Sequence, residues 1–73
     1  MYPRLRDLRE DADLSQEGLA KVLNMSQSGY SKYETGENDV PTRILIALAR
    51  FHNTSVDYLL GLTSEKEPYP RAR

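Results

Sequence analysis

Between Leu14 and Glu34 the chain carries two short amphipathic segments, each opened by a serine, with only Asn24-Met25-Ser26 joining them. Leu19, Ala20 and Leu23 recur at helical spacing in the first segment, and Tyr30 and Tyr33 do so in the second. Ser15 and Ser26 stand where an N-cap stands, with a side-chain oxygen able to accept from an otherwise unpaired first-turn amide. Position 18 is Gly where a capping box would place Glu or Gln, so the first of these starts lacks the reciprocal bond. Asn24 suits the left-handed conformation of a sharp helix end. A connection this short brings two helices into direct contact, and Ala20 is small where they must cross.

The remaining elements emerge from the same signals. Pro3 suits the first turn of a helix running to Asp11, with Leu5 and Leu8 on one face, and Asp11-Ala12-Asp13 breaks it. The central pair spans Gln16 to Leu23 and Gln27 to Glu34, the latter stopped by Thr35-Gly36. Pro41 signals a fourth helix to His52 that buries Leu45, Leu48 and Ala49, with Ile44 and Ile46 flanking. Ser55 caps a short fifth helix over Val56 to Leu60, closed by Gly61. The expected fold is all-α, five helices in one domain over residues 1–62. Residues 63–73, with two prolines and almost no aliphatic side chains, are expected to form a short, frayed, polar tail.

Composition narrows the function. Seventy-three residues allow one small domain, and no cysteine is present to staple it or hold a metal. No apolar run reaches the roughly 20 residues that cross a bilayer, and the N-terminus lacks a signal-type stretch, so a cytoplasmic protein without membrane contact is expected. His52 is the only histidine and has no clustered carboxylates, which argues against a metal site or a general base. Ser15 has no base at suitable spacing and no oxyanion motif, and Asp11 and Asp13 lack the glycine and distal glutamate of a calcium loop. An enzyme, a cofactor and a small-molecule ligand are therefore not expected. Arg4, Arg6 and Arg9 alternate with acids and read as a solvated helix face. Ten Lys+Arg against eleven Asp+Glu leave a net charge of −1, unlike most basic nucleic-acid modules, but Gln16 to Lys32 holds one acid, Glu17, against Lys21 and Lys32.

The third helix carries the chemistry. At about 100° per residue, Gln27, Ser28, Ser31 and Lys32 share one side and Tyr30 and Tyr33 the other. Every side chain on the polar side can donate a hydrogen bond and none is acidic, which suits a phosphate-lined groove. Gln can pair with N6 and N7 of adenine, Ser can reach either purine edge, and Lys can reach guanine or phosphate. Gly29 near the helix start is expected to let the backbone approach the bases.

From Arg4 to Gly61 the chain resembles the Cro and phage-repressor class of helix-turn-helix proteins, the Xre family. The resemblance rests on Leu14 to Gly36, on S-x-Y-E-x-G at Ser31 to Gly36 and on S-V-D-Y-L-L-G at Ser55 to Gly61. L-S-Q-E at Leu14 to Glu17 and M-S-Q-S-G at Met25 to Gly29 are close to runs in lambda-type repressors. It implies a lambda-repressor-like fold and a sequence-specific double-stranded DNA-binding transcriptional regulator, expected to repress. Gln27 and Ser28 would read base edges, and Ser31 and Lys32 would touch bases or flanking phosphates. Gln16 would hold a phosphate and brace Gln27. Ser15 and Ser26 would lie against the DNA backbone, and Asn38 to Thr42, with Arg43, would face another phosphate. Arg9 and Glu34 match a structural salt bridge of some relatives. Glu37 and Asp39 depart from the family's frequently basic loop, which implies modest non-specific affinity.

One module on DNA buries only about 600–1,000 Å², so two copies on a near-palindromic operator are expected. The dimer surface is placed at Asn53 to Leu62, because Val56, Tyr58 and Leu59 are not all expected to be buried internally. The alternative is the same fold acting as an antitoxin that binds a toxin partner and regulates its own expression. The short polar tail favours the plain regulator, whose signal would then act through a partner, concentration or degradation.

Overall fold

The computed structural model describes residues 2–69, and within them the chain forms five helices and no strand. They are α1 (Pro3–Asp11), α2 (Gln16–Val22), α3 (Gln27–Thr35), α4 (Thr42–Phe51) and α5 (Val56–Leu60). The all-α, five-helix expectation holds. Pro41 sits one residue outside its helix, as an extended N-cap with ψ 151° and no side-chain bond.

The same turn recurs between α1 and α2, between α2 and α3, and between α4 and α5. Asp13, Asn24 and Asn53 take the left-handed conformation there, with φ of 60°, 58° and 54°. Each is followed by one residue and then by a serine N-cap: Ser15, Ser26 and Ser55. In every case the left-handed residue donates its amide to the carbonyl three back, and the next residue donates to the carbonyl five back. Leu14 reaches Arg9 at 3.1 Å, Met25 reaches Ala20 at 2.9 Å and Thr54 reaches Ala49 at 2.8 Å. These bonds satisfy carbonyls that a helix end otherwise leaves open. The serine hydroxyl then accepts from the third amide of the next helix, Gly18 at 3.0 Å, Gly29 at 3.1 Å and Tyr58 at 3.0 Å. The residue between turn and cap points inward: Leu14 and Met25 pack on the core and Thr54 is buried.

Leu5, Leu19, Tyr30, Leu48 and Leu59 are the largest side chains wholly withdrawn from solvent, one from each helix. Ala20 is 1% exposed at the α2–α3 contact, where the absence of a longer side chain allows close approach. Tyr30 and Tyr33 meet edge to face at 6.3 Å between ring centres. Ile44 is buried, but Ile46, expected to flank the same face, is exposed.

Two expectations are corrected. Arg4 and Arg9 do not form a solvated face. The Arg4 guanidinium lies 4.0 Å above the Tyr58 ring and donates to the carbonyls of Tyr58, at 2.9 Å, and of Thr63. Arg9 is drawn inward, and Arg6 alone keeps a solvent-facing partner, Glu10, at 3.3 Å. Leu59, placed at a dimer surface from the sequence, is 1% exposed and part of the core, so it has no surface to offer a partner. Gly29 also lies against Ser26 Oγ and Met25 Cε, which a Cβ would approach to 3.0 and 3.1 Å, so its lack of a side chain leaves room for the cap and the turn as well.

The segment after α5 is bonded to the body where it is described. The Thr54 hydroxyl donates to the Lys66 carbonyl at 2.6 Å, and the Tyr69 hydroxyl donates to Asp57 at 2.9 Å. The remainder of the expected tail, residues 70–73, lies outside the described residues.

Candidate nucleic-acid interface

Helix α3 is held from behind by the core and leaves its other side open. Tyr30, Tyr33 and Glu34 are buried, whereas Gln27, Ser28 and Lys32 are exposed and Ser31 is half-buried. The sequence-derived base-reading set therefore falls on the solvent side of one helix, and no acid of α3 shares that side. Ser26 Oγ lies 3.5 Å from Ser28 Oγ, and its capping bond uses it as an acceptor, so its hydrogen stays available for donation. Ser15 is in the same position at the start of α2. Asn38, Thr42 and Arg43 are exposed around the start of α4, where no side chain caps the free amides.

Behind this surface runs a buried polar network. Arg9 grips Glu34 through two parallel bonds, Nε to Oε2 at 2.7 Å and Nη2 to Oε1 at 3.2 Å. Its Nη1 donates to the Leu14 carbonyl at 2.8 Å. One guanidinium thus ties α1 to the end of α3 and to the turn before α2. Gln16 Nε2 donates to Glu34 Oε1 at 3.1 Å. The partner that braces Gln16 is thus Glu34, a link between the start of α2 and the end of α3. One amide hydrogen and the amide oxygen of the half-buried Gln16 remain for other bonds.

Burial opposes the charged form of Glu34, but the bonds from Arg9, the neighbouring Tyr30 hydroxyl and the bond from Gln16 outweigh it and hold the carboxyl below its usual range. The hydrogen bond to Glu34 pushes the Arg9 guanidinium up. Burial, with the Glu34 carboxylate nearby, pushes the Tyr30 phenol up. The Tyr30 hydroxyl nevertheless has no partner at hydrogen-bonding geometry. It stands where an aliphatic side chain would leave no such group.

His52 is the C-cap of α4, half-buried, with Nε2 enclosed and unpartnered. Burial and then the charge of Lys66 lower its pKa, favouring the neutral ring. No group of three metal-ligating side chains occurs among the described residues. No helix among them is long and apolar enough to cross a membrane. Of the three residues expected at a dimer surface, Val56 and Tyr58 are half-buried and only Leu59 is withdrawn.

Comparison with known proteins agrees with this arrangement. The family described as Helix-turn-helix matches residues 5–59. Over 65 residues, 89% of this chain and 58% of the relative, the sequence is 42% identical to the uncharacterised HTH-type transcriptional regulator YobD of Bacillus subtilis strain 168. It is 38% identical to the HTH-type transcriptional regulator ImmR of the same organism, over 80% of this chain and 46% of that protein. It is 33% identical to the HTH-type transcriptional regulator AnsR, also of Bacillus subtilis, over 94% of this chain and 60% of that protein. The chain thus spans about half the length of the curated relatives it matches. No solved structure matches it. The two serine-capped helices, the four-residue connection between them and the family match over most of the chain establish that it belongs to the Xre-type helix-turn-helix family.

Proposed function

We propose that the chain is a sequence-specific DNA-binding unit of a transcriptional regulator that acts as a repressor by occupying its operator. Helix α3 enters the major groove and α2 lies across the DNA backbone. The observation that carries this reading is the division of α3. Its tyrosines are locked in the core, while Gln27, Ser28, Ser31 and Lys32 form an outward, acid-free set of donors. Gln27 and Ser28 read base edges, Ser31 and Lys32 contact bases or flanking phosphates, and Ser15, Gln16, Ser26, Asn38, Thr42 and Arg43 contact phosphates. The names of the relatives as transcriptional regulators support the regulatory part of this reading.

Two copies bind a near-palindromic site, with half-sites about 34 Å apart on one face of the duplex. With Leu59 in the core, the surface they share is formed by Val56 and the open edge of Tyr58 on α5. Selection of bound fragments from a random duplex pool tests the reading. Enrichment of a two-fold-related motif is expected, and recovery of fragments no different from the starting pool would refute it. A promoter carrying the selected site should lose transcription when the protein is supplied; a gain would refute the repressor assignment alone.

A further inference from the structure

The loop after α3 is folded so that one carboxylate is set against the only cation of that helix. Gly36 takes a left-handed φ of 83°, turning the chain back along the last turn of α3. The Asn38 amide then donates to the Lys32 carbonyl at 3.1 Å. The Thr35 hydroxyl donates to the same carbonyl at 3.3 Å and accepts from the Glu37 amide at 3.4 Å. Residue 38 is therefore anchored to residue 32 through the backbone and residue 37 through the Thr35 hydroxyl, and the Glu37 carboxylate comes to 3.8 Å from Lys32 Nζ. Both side chains are open to solvent, 48% and 65% exposed, so the pair adds little to folding. The turn, not the strength of the ion pair, keeps the backbone of residue 37 within reach of Lys32.

We propose that Glu37 takes the place of a DNA phosphate on Lys32 in the free protein and so sets how strongly that lysine draws on the duplex backbone. This rests on the DNA-binding reading above. A carboxylate 3.8 Å from the ammonium offers the charge that a phosphate oxygen would offer. A phosphate that draws on Lys32 must compete with Glu37 for the same charge, and Glu37 brings a carboxylate close to the DNA. Attraction to arbitrary sequence is weakened, and the neutral donors Gln27, Ser28 and Ser31 account for a larger share of binding. Asp39 provides an internal comparison. It is exposed in the same loop and carries the same charge, but among the described residues it forms no ion pair. Its effect on DNA is through space only, whereas that of Glu37 passes through Lys32.

The test is anisotropy titration of a labelled random-sequence duplex with the full chain, from 50 to 200 mM salt. Glu37→Gln should tighten binding about threefold at 100 mM salt, the size expected for releasing an exposed pair. It should steepen the salt slope by up to about 0.9, the value for one more phosphate neutralised. In a Lys32→Gln background the same substitution should do no more than Asp39→Asn does. An equal gain with and without Lys32, or Asp39→Asn matching Glu37→Gln in the otherwise native chain, would overturn the proposal, because either makes Glu37 a plain repulsive charge. No duplex binding by the native chain and every variant at 50 mM salt would overturn the DNA reading along with it. Thermal melts of the variants should coincide with the native melt, since both side chains are exposed.

Discussion

Removing the Glu34 side chain should cost this domain a large share of its stability. In Glu34→Ala the Arg9 guanidinium, whose side chain is 12% exposed, stays in place without its counter-charge, and Gln16 loses its acceptor. Breaking a buried pair by deleting one partner costs about 3–5 kcal/mol, mostly because a charge is left desolvated and unpaired. A domain of 73 residues is expected to have about 4–11 kcal/mol in total. The variant therefore lies near the edge of folding, and its melting temperature should fall by at least about 12 °C, at roughly 4 °C or more per kcal/mol. Urea and thermal unfolding followed by circular dichroism measure this directly. The double change Arg9→Met with Glu34→Leu should recover most of the loss, because it removes both charges and keeps apolar volume. A loss under about 1 kcal/mol for Glu34→Ala, or additive effects of Arg9→Ala and Glu34→Ala, would show that the pair does not hold α1, α2 and α3 together.

The same pair sets an acid response. The folded-state pKa of Glu34 lies below its ordinary value, so the unfolded chain takes up this proton more readily. Its stabilisation is complete above the unfolded value of about 4.3 and is lost as pH falls through the lower folded value. The urea midpoint of the native chain should therefore drop as pH is lowered below that range. In Glu34→Gln the part of this drop due to residue 34 should be absent; an unchanged profile would assign the acid sensitivity to other groups.

Three further outcomes are expected. Gln27→Ala should lose about 1–3 kcal/mol at the selected site and relax preference at one base pair; an equal loss on every sequence by anisotropy would contradict base reading. Gln16→Ala should weaken selected and random duplexes alike if it contacts phosphate as proposed, and should lower stability by about 0.5–1.5 kcal/mol through its bond to Glu34. Asn24→Gly should leave the melt almost unchanged, whereas Asn24→Val should cost about 1–2 kcal/mol at this left-handed position of φ 58°; equal stability of the two would refute the turn geometry.

The helix starts were legible in the sequence because the physics that sets them is local. Ser15, Ser26 and Ser55 each sit three residues before the amide they cap, and Gly61 and Gly36 supply the left-handed stops. The recurrence of one turn at Asp13, Asn24 and Asn53 was also present in the letters. Asp13-Leu14-Ser15 hides it behind an aspartate that reads equally well as a helix breaker or a surface acid. What the sequence withheld depends on contacts between distant segments. Gln16 and Glu34 are 18 residues apart, and their bond exists only once α2 and α3 have crossed. Arg4 reads as a surface charge until α5 brings the Tyr58 ring and two carbonyls beneath it. The bond from Thr54 to Lys66 ends on a backbone carbonyl, which carries no side-chain signature. Leu59 was misplaced for a related reason: a five-residue helix has too few positions for periodicity to separate the buried side from the open one.

Backbone amide shifts during titration with the selected duplex bear most directly on whether α3 reads DNA. The largest changes are expected at residues 27–32, with smaller ones at 15, 16, 38, 42 and 43, and almost none at the core-facing Tyr33. Saturable binding that leaves residues 27–32 unmoved while another surface shifts would place recognition elsewhere on the chain.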